Sequence, residues 1–285
     1  RIIVVNTGEE YWEQAEFDKS PFVFGNLAGM KMELYHIKEC EFDHGGTRRW
    51  AAGKSHAEYM LFMTQDAMPA DQFLIENLLK ALNQDPMIGA AYARQLPAPG
   101  CRMIERLSRE FNYGEKSMVK SGKDLEQMGI KTYFCSNVCA MYRRNIYLSV
   151  GGFVKSTIFN EDMICAGTMV QKGYRIAYAA DAKVIHSHNY SGKEQFKRNF
   201  DLAVSQVEYA EIFQSVPSEN EGIRMVKKSA RELIKMHHYF LIPQLVWQSG
   251  WKYLGYRTGK KYRKLPKKLI LKFTSNKNYW NKKES

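Results

Sequence analysis

Four groups of polar side chains in this sequence are spaced as chemistry would need them. Asp66 stands just behind an apolar run, Tyr59-Met60-Leu61-Phe62-Met63, with only Thr64 and Gln65 between. Open α/β sheets bind ligands beyond the carboxyl ends of their strands, and a carboxylate there is a hard donor for a divalent cation held against a diphosphate. The plainer alternative is a loop aspartate. His186 and His188 close a second run, Ala182-Lys183-Val184-Ile185-His186-Ser187-His188. Side chains two apart on a strand share a face, so the pair suits a metal or its phosphates, or else one core and one exposed imidazole. Asn160-Glu161-Asp162 places two acids at a helix start; they either complement the helix dipole or supply a general base at a cleft. His44-Gly45-Gly46-Thr47-Arg48 opens another helix, with glycine N–H groups and the Arg48 fork available to an anion. Its glycine spacing matches neither a Walker nor a Rossmann fingerprint.

The surrounding elements must bring these groups to one end of a sheet. Residues 2–5, Ile-Ile-Val-Val, are a β-branched run suited to a strand buried on both faces, and Asn6-Thr7-Gly8 is its turn. Strands are also expected at 33–37, 59–63, 88–92, 133–141, 175–180 and 182–188. Helices are expected at 45–57, 71–82, 143–150 and 161–172, from 193 to 212, and at 219–240. The 71–82 helix is the clearest, with Phe73, Leu74, Leu78, Leu79 and Leu82 on one face and Asp71 placed to cap it. Residues 11–30 read as irregular and 95–132 as loop-rich, and a connection that long inside a compact domain is usually functional. Strands alternating with helices predict an α/β fold with a mixed, mostly parallel sheet flanked by helices.

The 285 residues suit one large domain or two modest ones. A hydrophobic share of 45%, a charged share of 25% and a mean hydropathy of −0.46 exclude disorder, collagen-like repeats and a disulfide scaffold. The longest uncharged apolar stretch, 239–251, has 13 residues, whereas a spanning helix needs about 20. No export signal is recognisable, which predicts a cytoplasmic protein whose five scattered cysteines are reduced, with Cys135 and Cys139 in the core. The charge is uneven. Residues 251–285 hold twelve Lys and Arg and one acid, Glu284, for a net +11, which leaves +1 of the total +12 for residues 1–250. A neutral body argues against a nucleic-acid-binding fold. The basic tail, interleaved with Trp247, Trp251 and Tyr253, suits an anionic membrane surface, or a packed helical cap with a solvated basic face.

Taken in order, the motifs resemble family 2 glycosyltransferases, and among them bacterial rhamnosyltransferases. The resemblance runs through Glu41-Phe42-Asp43-His44-Gly45-Gly46-Thr47-Arg48, Leu61-Phe62-Met63-Thr64-Gln65-Asp66-Ala67 and Arg94-Gln95-Leu96-Pro97. It continues through Phe134-Cys135-Ser136-Asn137-Val138-Cys139, Gly151-Gly152-Phe153, Phe159-Asn160-Glu161-Asp162, the 182–191 run, Phe196-Lys197-Arg198-Asn199-Phe200-Asp201 and Lys252-Tyr253-Leu254-Gly255-Tyr256. It implies a GT-A fold over 1–215, a helical basic extension over 216–285, and inverting transfer from a nucleotide-diphosphate sugar, dTDP-L-rhamnose first among them. Asp66 then matches the last acid of the family's metal motif, here Thr64-Gln65-Asp66, with two of the usual acids replaced. Asp162 matches the catalytic base. His186, with His188, matches the late histidine that reaches the metal, Mg2+ or Mn2+, or the diphosphate. Arg48, Gly45, Gly46 and Arg198 fall on the donor phosphates. Arg94, Gln95, Ser136, Asn137 and Glu161 would line the sugar and acceptor cleft. The implied acceptor is a lipid-linked glycan at the inner face of the plasma membrane. Arg1 to Thr7 resembles the family's second strand, which implies a first strand and helix upstream. The alternatives are another donor, a UDP-hexose or UDP-N-acetylhexosamine, and a non-catalytic membrane-associated scaffold.

Overall fold

The computed structural model describes residues 1–12, 32–216 and 219–282; most of the stretch read as irregular, 11–30, lies outside them. The first half runs β1 (Ile2–Thr7), β2 (Met32–Ile37), α1 (His44–Gly53), β3 (Tyr59–Met63), β4 (Met68–Pro69), α2 (Leu74–Asn83), β5 (Ile88–Leu96), α3 (Met103–Asn112), β6 (Met118–Lys120) and α4 (Leu125–Met128). The second half runs β7 (Cys139–Arg143), α5 (Arg144–Ser149), α6 (Glu161–Gln171), β8 (Arg175–Ile185), α7 (Gly192–Glu208), α8 (Ala210–Phe213), α9 (Glu219–Lys235), α10 (Ile242–Gly259), α11 (Lys267–Phe273) and α12 (Lys277–Lys282).

β1 and β2 pair in parallel. The main sheet has the order β3-β7-β5-β8-β4, with β6 also on β8. Strands β3, β5 and β8 share one direction, and β5 and β8 are the two longest; β7, β4 and β6 run against them. The mixed sheet, mostly parallel in its long strands, is the expected one.

The layering follows from a two-residue alternation on the central strands. Ala91, Ala93, Ala177 and Ala179 face α2, where Leu74, Leu78 and Leu82 close the core. Tyr92, Tyr142 and Tyr178 face the other side, against Ile164, Met169 and Val170 of α6. Small residues let α2 lie close to the sheet, and the tyrosines fill the wider space opposite. Gly151 and Gly152, both at positive φ, turn the chain after α5 as expected, and a Cβ on Gly152 would lie 2.7 Å from the Tyr147 ring.

Several elements depart from expectation. The 71–82 helix starts only at Leu74, because Asp71 Oδ1 accepts the Phe73 N–H at 2.9 Å, two residues too early to cap it. The two strands expected over 175–188 are the single strand β8, and both histidines lie just beyond its end. Of 133–141 only the last residues are strand, since Tyr133 ends a 3-10 turn. The loop-rich 95–132 contains α3, whose Ile104 and Leu107 bury against Leu233 of α9 and Leu245 of α10.

The C-terminal helices join the body through a close crossing. Gly255 and Gly259 of α10 lie on α7, where a Cβ would stand 2.2 Å and 2.3 Å from the carbonyl oxygens of Phe196 and Phe200. Phe200 and Val204 of α7 also pack with Tyr262, Ile270, Tyr279 and Trp280. Buried Asp201 fastens the same region by accepting from Thr274 Oγ1 at 2.7 Å and the Ser275 N–H at 2.8 Å.

Candidate active site

Strand ends and one turn assemble the first half of the site. The His186 N–H donates to Leu96 O at 2.9 Å, so the imidazole stands where β5 and β8 end together. The short β4 pairs with the last residues of β8, which brings the Asp66 turn alongside. Asp66 Oδ2 lies 3.0 Å from His188 Nε2 and 3.4 Å from His186 Nε2, and the two Nε2 atoms are 3.0 Å apart. Among the described residues these three form the cluster able to hold a metal ion.

The surroundings fix the ligand atoms. His186 Nδ1 lies 2.9 Å from Gln95 Oε1. Gln95 donates through Nε2 to Tyr113 Oη at 2.6 Å and Ser136 Oγ at 3.0 Å, so its Oε1 is the acceptor and His186 carries its proton on Nδ1. Arg109 donates to the same Oε1. His186 therefore turns the bare Nε2 toward Asp66. Burial, with Arg109 nearby, pushes its pKa down to about 4, so the ring is neutral at pH 7. Burial favours a protonated Asp66, but the Thr64 hydroxyl and the two imidazoles outweigh it and hold the carboxyl below the usual range. His188 stacks on Tyr190 at 4.9 Å, and the Arg198 guanidinium lies 4.7 Å over the other partner, the Tyr190 ring.

The donor set fits a divalent cation. Neighbouring ligands at right angles around an ion with bonds of about 2.1 Å stand about 3 Å apart, the separation found here. Two imidazoles and one carboxylate suit Mn2+ better than the harder Mg2+.

The second half of the site is Asp162, in the first turn of α6. Asn160, at φ 62°, sets the entry to this helix, and its Nδ2 donates to Ser205 Oγ of α7 at 2.6 Å. Asp162 Oδ2 accepts the Asn137 N–H at 3.0 Å, and Oδ1 accepts the Met163 N–H at 2.7 Å. Burial first, then neighbouring Glu161, pushes the Asp162 carboxyl up to about 7. Glu161 is itself buried, with Oε1 at 3.1 Å from both Asn137 Nδ2 and Arg48.

Ser136 and Asn137 connect the halves. Ser136 accepts from Gln95, which orients His186, while the next residue donates to Asp162. Adjacent Cα atoms are only about 3.8 Å apart, so one continuous hydrogen-bond chain joins the carboxylate to the triad.

The structure gathers Asp66, His186, His188, Gln95, Ser136, Asn137, Glu161, Asp162 and Arg48 into this network. Arg48 is committed to Glu161 and to the His44 carbonyl at 3.1 Å, on the Asp162 side. Arg94 pairs with Glu115 at 3.3 Å. The glycines differ from expectation. Buried Asp43 Oδ1 already accepts the Gly45 and Gly46 N–H groups at 2.9 and 2.8 Å, and a Cβ on either would lie 2.4–2.5 Å from the Val154 or Lys155 carbonyl. They are glycine to allow that approach, and the turn is closed to an anion. Arg109 and Tyr113 escaped the sequence reading. The i,i+4 pair of Glu105 and Arg109, bonded at 2.7 Å, was the available signal.

The chain resembles known proteins in sequence and in fold. Residues 1–151 match the family described as glycosyl transferase family 2. The chain is 40% identical over 283 residues to the O-antigen chain rhamnosyltransferase RfbN of Salmonella typhimurium, covering 99% of this chain and 87% of the relative. It is 39% identical over 247 residues to the O-antigen chain rhamnosyltransferase WbaN of Salmonella anatum, covering 86% and 78%. In fold, 91% of the chain superposes on 86% of the mannosyltransferase PcManGT from Pyrobaculum calidifontis, solved with GDP-Man and Mn2+, at a TM-score of 0.53 and 14% identity. The motif order, the strand-end site and these likenesses agree: the chain is a glycosyltransferase and belongs to glycosyl transferase family 2.

Proposed function

We propose that the protein transfers L-rhamnose from dTDP-L-rhamnose, with inversion, to a lipid-linked glycan acceptor in O-antigen-type polysaccharide synthesis. The observation that carries the mechanism is the Ser136-Asn137 link, which ties a carboxylate with a raised pKa to the Asp66–His186–His188 triad through hydrogen bonds. The names of the two relatives at 39–40% identity support the sugar.

Asp162 accepts the proton of the acceptor hydroxyl as its oxygen bonds to C1 of the donor sugar from the face opposite the diphosphate. The C1–O bond to the diphosphate breaks in the same displacement, and the leaving group departs as dTDP. A base titrating near 7 is matched to proton transfer at neutral pH. The Asn137 N–H aims Oδ2, and Arg48 balances Glu161 so that two acids can stand side by side. Asp66, His186 and His188 would hold Mn2+ or Mg2+, which when bound would neutralise charge growing on the diphosphate. Arg198, over Tyr190 and 5.2 Å from the Phe159 ring, adds positive charge at the rim.

The membrane part of the reading rests on α10. No described helix is long and apolar enough to cross a membrane. Yet Val246, Trp247, Tyr253 and Leu254 are exposed along the face of α10 turned away from Gly255 and Gly259, with Phe240 just before them 72% exposed. Arg257 and Lys260 end the same face. An apolar, aromatic stripe beside cations suits the headgroup region of an anionic bilayer.

Turnover tests the proposal. The purified protein with Mn2+ and a lipid-linked acceptor is expected to release nucleoside diphosphate from dTDP-rhamnose, and not from UDP-galactose, UDP-N-acetylglucosamine or GDP-mannose. Release from another donor alone would discard the rhamnose assignment.

A further inference from the structure

One residue on the inner face of the C-terminal extension lies among charged side chains that adjoin the site. Lys252 lies on α10 between Trp251, which packs on Gly192 at the start of α7, and Gly255, which packs on the Phe196 carbonyl. It is partly buried, and among the described residues its ammonium has no hydrogen-bond or ion-pair partner. The charges around it are Glu105 and Arg109 of α3 and Arg198 of α7. Glu105 is already bonded to Arg109 at 2.7 Å. Arg109 also holds Gln95, the partner of His186, and Arg198 covers Tyr190, the partner of His188.

α3, α7 and α10 thus bring Arg109, Arg198 and Lys252 into one neighbourhood with a single acid, Glu105, and two of these three cations hold the partners of the triad histidines. A cation withdrawn from water with no carboxylate partner is costly unless an anion completes it. The anion that fits is one with several negative oxygens beside a metal-binding triad.

We propose that Lys252 is a diphosphate-binding residue, so that the extension supplies part of the active site. The inference rests on the proposed transfer for its source of diphosphate. That source is either the leaving nucleoside diphosphate of the donor or the diphosphate of a lipid-linked acceptor, and both present the same chemistry.

Binding to the whole protein with Mn2+, read by calorimetry, tests this with dTDP in one arm and farnesyl diphosphate in detergent in the other. Lys252→Met keeps the packing stem and removes the charge. It is expected to weaken binding about ten- to hundred-fold in one arm. Lys252→Arg is expected to restore most of it, and Lys80→Met, exposed on α2, to change nothing. Loss confined to dTDP assigns Lys252 to the donor; loss confined to farnesyl diphosphate assigns it to the acceptor. Unchanged binding by Lys252→Met in both arms overturns the inference and leaves the proposed transfer standing. If the unaltered protein binds neither probe, both fall together.

Discussion

Replacing Asp162 with asparagine should abolish transfer while stabilising the fold above neutral pH. In the folded chain burial, with Glu161 alongside, holds this carboxyl at about 7 against an ordinary value of 3.8. As pH rises through that interval the unfolded chain releases its proton first. The folded state therefore loses ground progressively, with nothing lost below 3.8 and the full cost reached above 7. That displacement corresponds to at most about 4 kcal/mol. Two effects reduce it. Solvent reaches part of the group, and asparagine can accept only one of the N–H bonds now made by Asn137 and Met163. A gain of about 1–3 kcal/mol remains at pH 8. Urea unfolding should find Asp162→Asn level with or below the unaltered protein at pH 4 and above it at pH 8. Transfer at pH 8 should fall by about 10²–10⁴. A stability difference that does not change with pH would refute the raised carboxyl, and a variant keeping a tenth of the rate would refute the base.

Other substitutions probe the remaining parts. Gln95→Met removes the acceptor that fixes the His186 tautomer without touching a ligand atom; Mn2+ affinity by calorimetry should drop about 10–100-fold, and unchanged affinity would break the link. Unaltered protein should transfer faster as pH rises through about 7, since Asp162 must be ionised; a rate that falls over that range contradicts its role. Trp247→Ser with Leu254→Ser should cut sedimentation with anionic vesicles while thermal stability holds, because both side chains are exposed. Gly255→Ala should destabilise by about 1–3 kcal/mol in chemical denaturation, as its Cβ would stand 2.2 Å from a backbone oxygen; a neutral result would show that the helices separate easily.

The sequence exposed the parts of the site that obey local rules. Asp66, His186 and His188 were legible because a hydrophobic run points to the strand end where ligands bind, and Asp162 because a helix start follows a double glycine. The glycines at 45 and 46 misled because an anion cradle and a close backbone approach leave the same residues in sequence; only the Asp43 carboxylate in space separates them. α3 was hidden because Pro97, Pro99 and Gly100 before it, and Gly114 after it, outweighed a ten-residue amphipathic period. Arg109 carried a local signal, its i,i+4 pairing with Glu105, but its place at the site, like that of Lys252, was hidden for a different reason. Their place depends on the packing of α3, α7 and α10, helices far apart in the sequence.

The crossing of α7 and α10 also limits how chains of this kind can be recombined. Gly255 and Gly259 meet backbone carbonyls rather than side chains, so what they match is the path of α7 itself. A chimaera joined between Phe213 and Glu219 would part α10 from the α7 it was shaped against. One joined between His188 and Gly192 would carry both helices across together. Moving the C-terminal helices between relatives therefore calls for exchanging 192–282 as one block, and the short chain between α8 and α9, which looks like the natural seam, is the wrong place to cut.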